Sequence, residues 1–235
     1  MLKRLMLAAL LALAGCATGP VKQDLATELR ASNVAVAYYM NQKNIHYTEM
    51  VYKVLWAQTE SQDAAFDGMW DIDREMSGRL ATLLANEGLM AQSIHDVLGK
   101  DYAGFERAMA ETAWEPRGDK KRTKLHLDDA TRAALTAKGI RYVVLEQRGE
   151  FSIKTTSFMS SVIAETNGAL VVYDVEAGQE VYQEILMSQD NVETGKSPRN
   201  IEANKLAKLK AAVRKTMDQS QKLYVEKLRL NEAPG

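Results

Sequence analysis

An uninterrupted apolar run near the start of the chain limits the folds that it can adopt. Residues 34–40 read Val-Ala-Val-Ala-Tyr-Tyr-Met, with Asn33 before them and Asn41 after them. A strand with one face in water alternates apolar and polar residues, whereas a strand that helices cover on both faces is apolar throughout. The run is also short enough for a strand and too short for most helices. It therefore predicts a strand buried on both faces in an α/β sheet.

The second half of the chain predicts a helix that leads into further strands. Residues 128–138 have the pattern of a helix, Gly139 ends it, and Ile140–Leu145 is an apolar, β-branched run. Helix, glycine and strand in this order are typical of an αβ connection. Strand-like segments follow at 151–164, 169–175 and 181–187, with Gly178 available for a turn between the last two. These segments predict an antiparallel meander.

The region between the two strands contains a second predicted helix. Residues 71–87 carry an apolar stripe with helical spacing, and Gly88 is a suitable residue to end the helix. Asp71, Asp73 and Glu75 fall in its first turn, where the helix dipole favours negative charge. Residues 45–56 allow a helical stripe as well, but they are rich in aromatic and β-branched residues. We interpret them as a second strand, because such residues suit a pleated surface.

A long basic helix is predicted to close the fold. Ser197-Pro198 is a favourable start, and no Gly or Pro follows before Pro234. Residues 199–229 contain nine Lys or Arg and three acids, which form either a solvated face or a face for anionic lipid. The fold class predicted from these elements is α/β (α+β): a single mixed sheet packed by helices, with a C-terminal antiparallel meander and a long closing helix. One domain should span residues 34–230.

The first fifteen residues have the features of a secretory signal. Lys3 and Arg4 precede the apolar run Leu5–Leu13, and small residues follow it. The run is too short to cross a membrane, which takes about 20 residues. We therefore expect residues 1–15 to be removed.

The cysteine at the end of this segment is the only one in the chain. Leu13-Ala14-Gly15-Cys16 resembles the lipobox of bacterial lipoproteins. The resemblance implies cleavage before Cys16, a diacylglyceryl thioether on its sulfur and an acyl chain such as palmitate on the new N-terminus. Residues 16–33 are then the lipidated cysteine and a tether, and Ala17, where an aspartate favours the inner membrane, implies the outer membrane. An ordinary secretory signal with a chance cysteine is the alternative.

The order of helices and strands in the domain also resembles that of known bacterial lipoproteins. The domain resembles those of curli-secretion and penicillin-binding-protein-activator lipoproteins in four elements. These are an early apolar strand, the helix-glycine-strand unit at 137–144, the Tyr-Asp-Val-x-x-Gly hairpin at 173–178 and a closing helix. The resemblance is to their periplasmic α/β domains and covers roughly residues 34–228. The charged segment 115–124 and the aromatic segment 45–56 are not part of that pattern. The resemblance implies a domain that binds proteins of the cell envelope.

Motifs for catalysis and metal binding are missing from the sequence. His46, His95 and His126 are far apart and form no HExxH pattern. Asp71-x-Asp73-x-Glu75 resembles the start of a calcium loop without its glycine and distal glutamate, so we assign it to the helix terminus. Asp128 or Asp129 is expected to cap the following helix. The serines that lie in a strand-like segment lack a nucleophile elbow; they are Ser157, Ser160 and Ser161. We predict no enzyme, cofactor or metal site.

Charge and composition narrow the expected partners. Without its signal the chain has 28 basic and 31 acidic residues, which argues against a nucleic-acid partner. The membrane should then be bound through lipid on Cys16 and not through charge. We expect a non-catalytic protein-interaction or assembly module that binds an envelope protein or copies of itself. The alternative is a small-ligand or cell-wall-binding lipoprotein, suggested by clustered aromatic residues: Tyr38, Tyr39, Tyr47, Tyr52 and Trp56.

Overall fold

Seven strands form one mixed sheet in the part of the chain that the structure describes. The structure is a computed structural model, and the residues it describes are 24–53, 56–65, 70–112, 123–156, 159–192 and 203–230. The strands are β1 (Asn33–Met40), β2 (Asn44–Lys53), β3 (Trp56–Ala65), β4 (Met90–Ser93), β5 (Ile140–Thr156), β6 (Met159–Asp174) and β7 (Gln179–Val192). The helices are α1 (Leu25–Arg30), α2 (Ile72–Asn86), α3 (Ile94–Leu98), α4 (Tyr102–Glu111), α5 (Asp129–Ala137) and α6 (Ala203–Lys227).

Strand β5 is the central strand of the sheet. Its first half pairs in parallel with β1, its second half pairs in parallel with β2, and β6 pairs antiparallel along its other edge. Strands β1 and β2 therefore follow one another along the same edge of β5. On their outer side, β4 is parallel to β1 and β3 is antiparallel to β2. Strand β7 completes the meander beside β6.

Helices cover both faces of the half of the sheet that contains β1. Ala35 and Ala37 point into an apolar cluster with α3, α4 and α5, whereas Val34 and Val36 point into a second cluster with α1, α2 and α6. This alternation explains the continuous apolar run, because every side chain of β1 from Val34 onwards is buried. The predicted α/β class, with one mixed sheet packed by helices, is confirmed.

The predicted boundaries are accurate for some elements and wrong for others. Helix α2 begins after Asp71, and Gly88 and Gly139 follow their helices with φ values of 89° and 72°. The single strand predicted at 151–164 is wrong, because β5 continues to Thr156 and β6 begins at Met159. The polar strand β3 was not predicted.

Some predictions concern residues that lie outside the described ranges or close to their ends. The helix start at Ser197-Pro198, the signal, the lipobox and Ser157 lie outside them, as does most of the charged segment 115–124, whereas Ser160 and Ser161 belong to β6. Within the expected tether, Leu25 and Leu29 of α1 are buried in the core, so the packed core takes in residues before 34. No described helix has the length and apolar character needed to cross a membrane.

Candidate functional site

A polar pocket lies where the parallel strands β1 and β4 end. After β1 the chain forms β2 and β3 and then α2, which packs on one face of the sheet, whereas the chain that leaves β4 continues directly as α3 on the other face. A crevice forms at the carboxyl ends of parallel strands whose connections diverge in this way, and ligand sites are common there. The pocket has a volume of about 350 Å³, within the range of small-molecule sites.

The base of the pocket contains a buried aspartate. Strand β4 pairs only with Asn33–Val36, so beyond that point no described strand lies along the outer edge of β1. Side chains of α2 bind this edge instead: Ser77 Oγ accepts from the Tyr38 N–H at 2.8 Å, and Asp73 Oδ1 accepts from the Met40 N–H at 3.0 Å. Lys43 Nζ lies 3.3 Å from Asp73 Oδ2. Because Asp73 is only 2% exposed, burial raises its pKa to about 6 despite the nearby Lys43.

One side of the pocket is formed by a stacked histidine and tyrosine. The rings of His95 and Tyr102 have their centroids 4.0 Å apart. His95 is 5% exposed, both of its ring nitrogens are buried, and a hydrogen bond to the Asp73 backbone partly opposes the effect of burial on its pKa. The buried hydroxyl of Tyr102 has no hydrogen-bond partner in the described part of the chain. Such an unpartnered group costs about 1–3 kcal/mol.

Both rings are electrically neutral near pH 7. Burial lowers the pKa of His95 and raises the pKa of Tyr102. A neutral imidazole offers one hydrogen-bond donor and one acceptor, and a phenol offers both from one oxygen. The His95 and Tyr102 side of the pocket is therefore neutral, whereas the charged base is already paired.

The mouth of the pocket carries charges of both signs. Arg74 is 61% exposed and its Nε lies 3.3 Å from Asp71 Oδ2. Glu106 on α4 is exposed, and no ion pair to it occurs among the described residues. Trp70 is buried beside them, and its indole N–H donates to Glu75 Oε2 at 2.7 Å.

Helix α6 holds the start of α2 in place. Arg214 donates to both carboxylate oxygens of Glu75 at 2.6 and 2.9 Å, and Arg79 donates to both oxygens of Asp218 at 2.7 Å. The Arg214 guanidinium also lies 5.6 Å from the Trp70 ring centroid. Part of the basic face of this helix is therefore used inside the protein, whereas the sequence suggested only a solvated or lipid-facing role.

A second cluster of charged side chains extends from β5 and is buried in the protein; we call it the enclosed cluster. Arg148 and Glu146 of β5 are 1% and 0% exposed, and Arg148 Nε donates to Glu146 Oε1 at 2.7 Å. Arg148 Nη2 donates to the Tyr224 hydroxyl of α6 at 2.5 Å. Burial raises the pKa of Glu146, an effect that Arg148 opposes. The backbone at Gly168 passes so close that a Cβ there would lie 2.7 Å from Arg148 Cδ.

The structure separates the three histidines. His46 on β2 pairs with Asp63 on β3 at 2.6 Å, His95 lines the pocket, and His126 precedes α5. Among the described residues, no group of three or more His, Cys, Asp or Glu side chains could hold a metal ion. The predicted cap at Asp128 is confirmed, since its Oδ1 accepts from the Thr131 N–H at 2.7 Å.

The aromatic cluster proposed for ligand binding is in part a core feature. Tyr38 and Tyr39 of β1 are buried in the sheet. The side chains of the other three, Tyr47, Tyr52 and Trp56, lie outside the described set.

Sequence reasoning missed the residues that form the pocket. It assigned Asp73 to the helix terminus together with Asp71, whereas only Asp71 caps the helix, by accepting from the Arg74 N–H at 3.2 Å. A signal was present, because Asp73 precedes Met76 and Leu80 by three and seven residues and so lies on the buried face of α2. Lys43, His95 and Tyr102 come from three other segments, and their sequence spacing gave no sign that they meet.

Comparisons with known proteins yield distant structural similarities. No family model matches the chain, and no curated protein sequence matches it either. A lipoprotein from Neisseria meningitidis aligns with a TM-score of 0.37 and 10% identity over 80% of this chain and 99% of the other. A hypothetical protein from Chlamydia trachomatis aligns with a TM-score of 0.34 and 14% identity over 81% of this chain and 96% of the other. The LpoB C-terminal domain from Salmonella enterica aligns with a TM-score of 0.27 and 13% identity over 72% of this chain and 96% of the other. Similarities at these TM-scores do not determine the function of this chain.

Proposed function

We propose that this chain is a lipoprotein of the cell envelope whose domain binds a partner protein without catalysing a reaction. In this proposal Cys16 carries lipid, the outer membrane holds the protein, and the domain faces the periplasm. The anchor rests on the sequence Leu13-Ala14-Gly15-Cys16 after a secretory signal. The non-catalytic role rests on the sequence, in which we find neither a nucleophile elbow nor an HExxH pattern.

The observation that carries the interaction role is the unpaired outer edge of β3. This strand pairs with β2 on one side, and no described strand pairs with it on the other. Unpaired edges attract other strands, and proteins commonly protect them with Lys, Pro or covering elements. Trp56–Ala65 contains no Lys, Arg or Pro. The outer edge of β1, by contrast, is occupied by the side chains of Ser77 and Asp73, which accept hydrogen bonds from its backbone N–H groups.

The partner best suited to such an edge is an extended segment of another envelope protein. Backbone hydrogen bonds to the edge would hold it, as in other cases of strand addition. Four side chains of β3 are exposed and small or polar, which leaves the strand accessible; they are Thr59, Ser61, Asp63 and Ala65.

The first test is site-specific photocrosslinking in intact cells that produce the full lipoprotein. A crosslinker at Ser61 is expected to capture an envelope protein, whereas one at Lys138, exposed at the end of α5, is not. The Cys16→Ala variant, which cannot be acylated, should lose this capture. Equal capture from both positions, or no capture from Ser61, would contradict the proposal.

The second test introduces positive charges on the edge strand β3. The double variant Thr59→Lys/Ser61→Lys places two edge-protecting residues on β3 and should abolish capture from a crosslinker at Asp63. The matched control Thr136→Lys changes an exposed residue of α5 and should leave capture intact. A captured copy of the same chain would identify self-association as the interaction.

A further inference from the structure

The hairpin of β2 and β3 contains two glutamates at opposite positions. The register places Glu49 of β2 directly opposite Glu60 of β3, and Thr155 of β5 is level with Glu49 on its other side. Like charges at directly opposite positions destabilise an antiparallel pair of strands. The next positions on the same face of the hairpin contain no lysine or arginine; they are Tyr47, Val51, Gln58 and Gln62. The neighbouring register positions of the described strands therefore supply no positive charge to this pair.

The edge strand β3 carries only negative charges. Trp56–Ala65 contains Glu60 and Asp63 and neither lysine nor arginine. Successive side chains alternate between the two faces of a strand, so these two acids lie on opposite faces of the sheet. Asp63 Oδ1 lies 2.6 Å from His46 Nδ1, but the Asp63 side chain is still 63% exposed. A strand added at the free edge would therefore meet a negative charge on each of its faces.

The same charges argue against a second copy of this chain as the partner. Pairing of β3 with another β3 would bring together two acids from each strand and no cation. Strand β7, which pairs with β6 alone, also lacks lysine and arginine and contains three acids: Glu180, Glu184 and Asp190. Pairing of β3 with β7 of another copy would thus also join two acidic strands, and like charges at an interface disfavour association. The partner that fits this edge is a different chain with positive charge.

We propose that the extended segment that adds to β3 is basic, with a Lys or Arg beside Glu60 and a second one, three residues away, beside Asp63. This inference rests on the proposed function and specifies the chemistry of the partner. The first cation would offset the repulsion between Glu49 and Glu60, and the second would pair with the exposed Asp63. Backbone hydrogen bonds hold any extended segment, so these charge pairs supply the specificity.

Peptide binding to the full lipoprotein tests the inference, in a zwitterionic detergent at low salt. The probes are three labelled peptides of about ten residues, made of threonine and valine, with lysine, glutamine or glutamate at the fourth and seventh positions. Fluorescence anisotropy should show the lysine peptide bound about five-fold more tightly than the glutamine peptide, and the glutamate peptide bound most weakly. The difference should shrink in about 0.5 M salt, which screens exposed charges. Equal binding of the three peptides would overturn the inference and leave the edge proposal intact, whereas binding of none would overturn both.

Charge variants locate the effect on β3. Glu60→Gln and Asp63→Asn should each weaken binding of the lysine peptide about two- to five-fold and leave binding of the glutamine peptide unaffected. Glu87→Gln is the matched control, because it removes an exposed carboxylate at the end of α2, and it should bind like the unchanged protein. An equal loss in Glu87→Gln would mean a general attraction to an acidic protein and would reject the site.

The variant Glu60→Lys separates binding from folding. A lysine opposite Glu49 replaces a repulsion by an attraction, so the urea midpoint of the lipoprotein should rise. The same variant should lose the preference for the lysine peptide over the glutamine peptide. A purely structural role of Glu60 would instead lower the midpoint and keep the preference, and this result would contradict the inference.

Discussion

Two clusters of charged and polar side chains lie on either side of Tyr38, and they use their hydrogen bonds differently. In the enclosed cluster, the buried Arg148 donates to Glu146 and Tyr224. In the pocket, His95 and Tyr102 border an open cavity, and the Tyr102 hydroxyl has no partner in the described part of the chain. Tyr38 is close enough to both that Glu146 and Asp73 each raise its pKa, after burial as the main cause. Similar residues thus form an enclosed ion pair in one cluster and line a cavity in the other, although each cluster keeps a buried oxygen without a partner among the described residues, Glu146 Oε2 and the Tyr102 hydroxyl.

Removal of Arg148 should give the largest loss of stability. Arg148→Met leaves Glu146 buried without its cation, and breaking a buried pair in this way costs about 3–5 kcal/mol. Urea unfolding at pH 7 measures the change in the free energy of unfolding. The exposed Arg74→Met at the mouth of the pocket is the control and should change it by about 0.5 kcal/mol or less. Equal effects of the two variants would remove the distinction between the clusters.

The pocket should make stability depend on pH through Asp73. Its pKa is raised from 3.8 to about 6, so the folded state binds a proton more tightly than the unfolded state. Stability should therefore fall as pH rises from about 4 to about 6, by about 3 kcal/mol in total. Asp73→Asn should remove this decrease while its amide oxygen still accepts from the Met40 N–H. Urea unfolding of both proteins between pH 4 and 7.5 provides the comparison, and parallel profiles would show that Asp73 titrates normally.

Two tyrosine-to-phenylalanine variants compare the clusters with the same chemical change. Tyr224→Phe removes the acceptor of a charged donor, Arg148 Nη2, and should cost about 1.5–3 kcal/mol. Tyr102→Phe removes a hydroxyl without a partner in the described residues, so stability should stay the same or rise slightly. Thermal and urea unfolding of both variants give the two values. A large loss for Tyr102→Phe would mean that its hydroxyl has a structural role.

A pair of glycine variants tests how tightly the enclosed cluster is packed. A Cβ at Gly168 would meet Arg148 Cδ at 2.7 Å and the Gln147 carbonyl oxygen at 2.8 Å. Overpacking of this kind costs about 1–3 kcal/mol, so Gly168→Ala should destabilise the protein. Gly78→Ala, inside α2 with no neighbouring atom within 4 Å, should instead stabilise it by about 0.5–1 kcal/mol. Opposite signs in urea unfolding are the expected result; a stabilising Gly168→Ala would contradict the packing.

Elements with a strong local pattern were predictable from the sequence. Strand β1 is apolar throughout because helices cover both of its faces, and α2 and α5 begin beside aspartates that accept backbone N–H bonds. Strand β3 was missed because its residues are polar and show no buried face in the sequence. The boundary between β5, which ends at Thr156, and β6, which begins at Met159, was missed because the sequence there contains neither Gly nor Pro and its apolar residues read as one strand.

The sequence by itself determined the α/β class, the helix cap at Asp128, the presence but not the strand boundaries of the meander, and the expectation of a lipid-bearing Cys16, since each depends on residues close together in the chain. Only the tertiary structure decided which polar residues meet. Lys43, Asp73, His95 and Tyr102 come from four segments and converge because β1 and β4 are parallel neighbours, and because α2 and α3, which follow β3 and β4 in the chain, pack on opposite faces of the sheet. Burial then changes the chemistry of Asp73 and His95 by raising one pKa and lowering the other. Long-range convergence and desolvation leave no local pattern in a sequence, and for this reason the pocket became visible only in the folded chain.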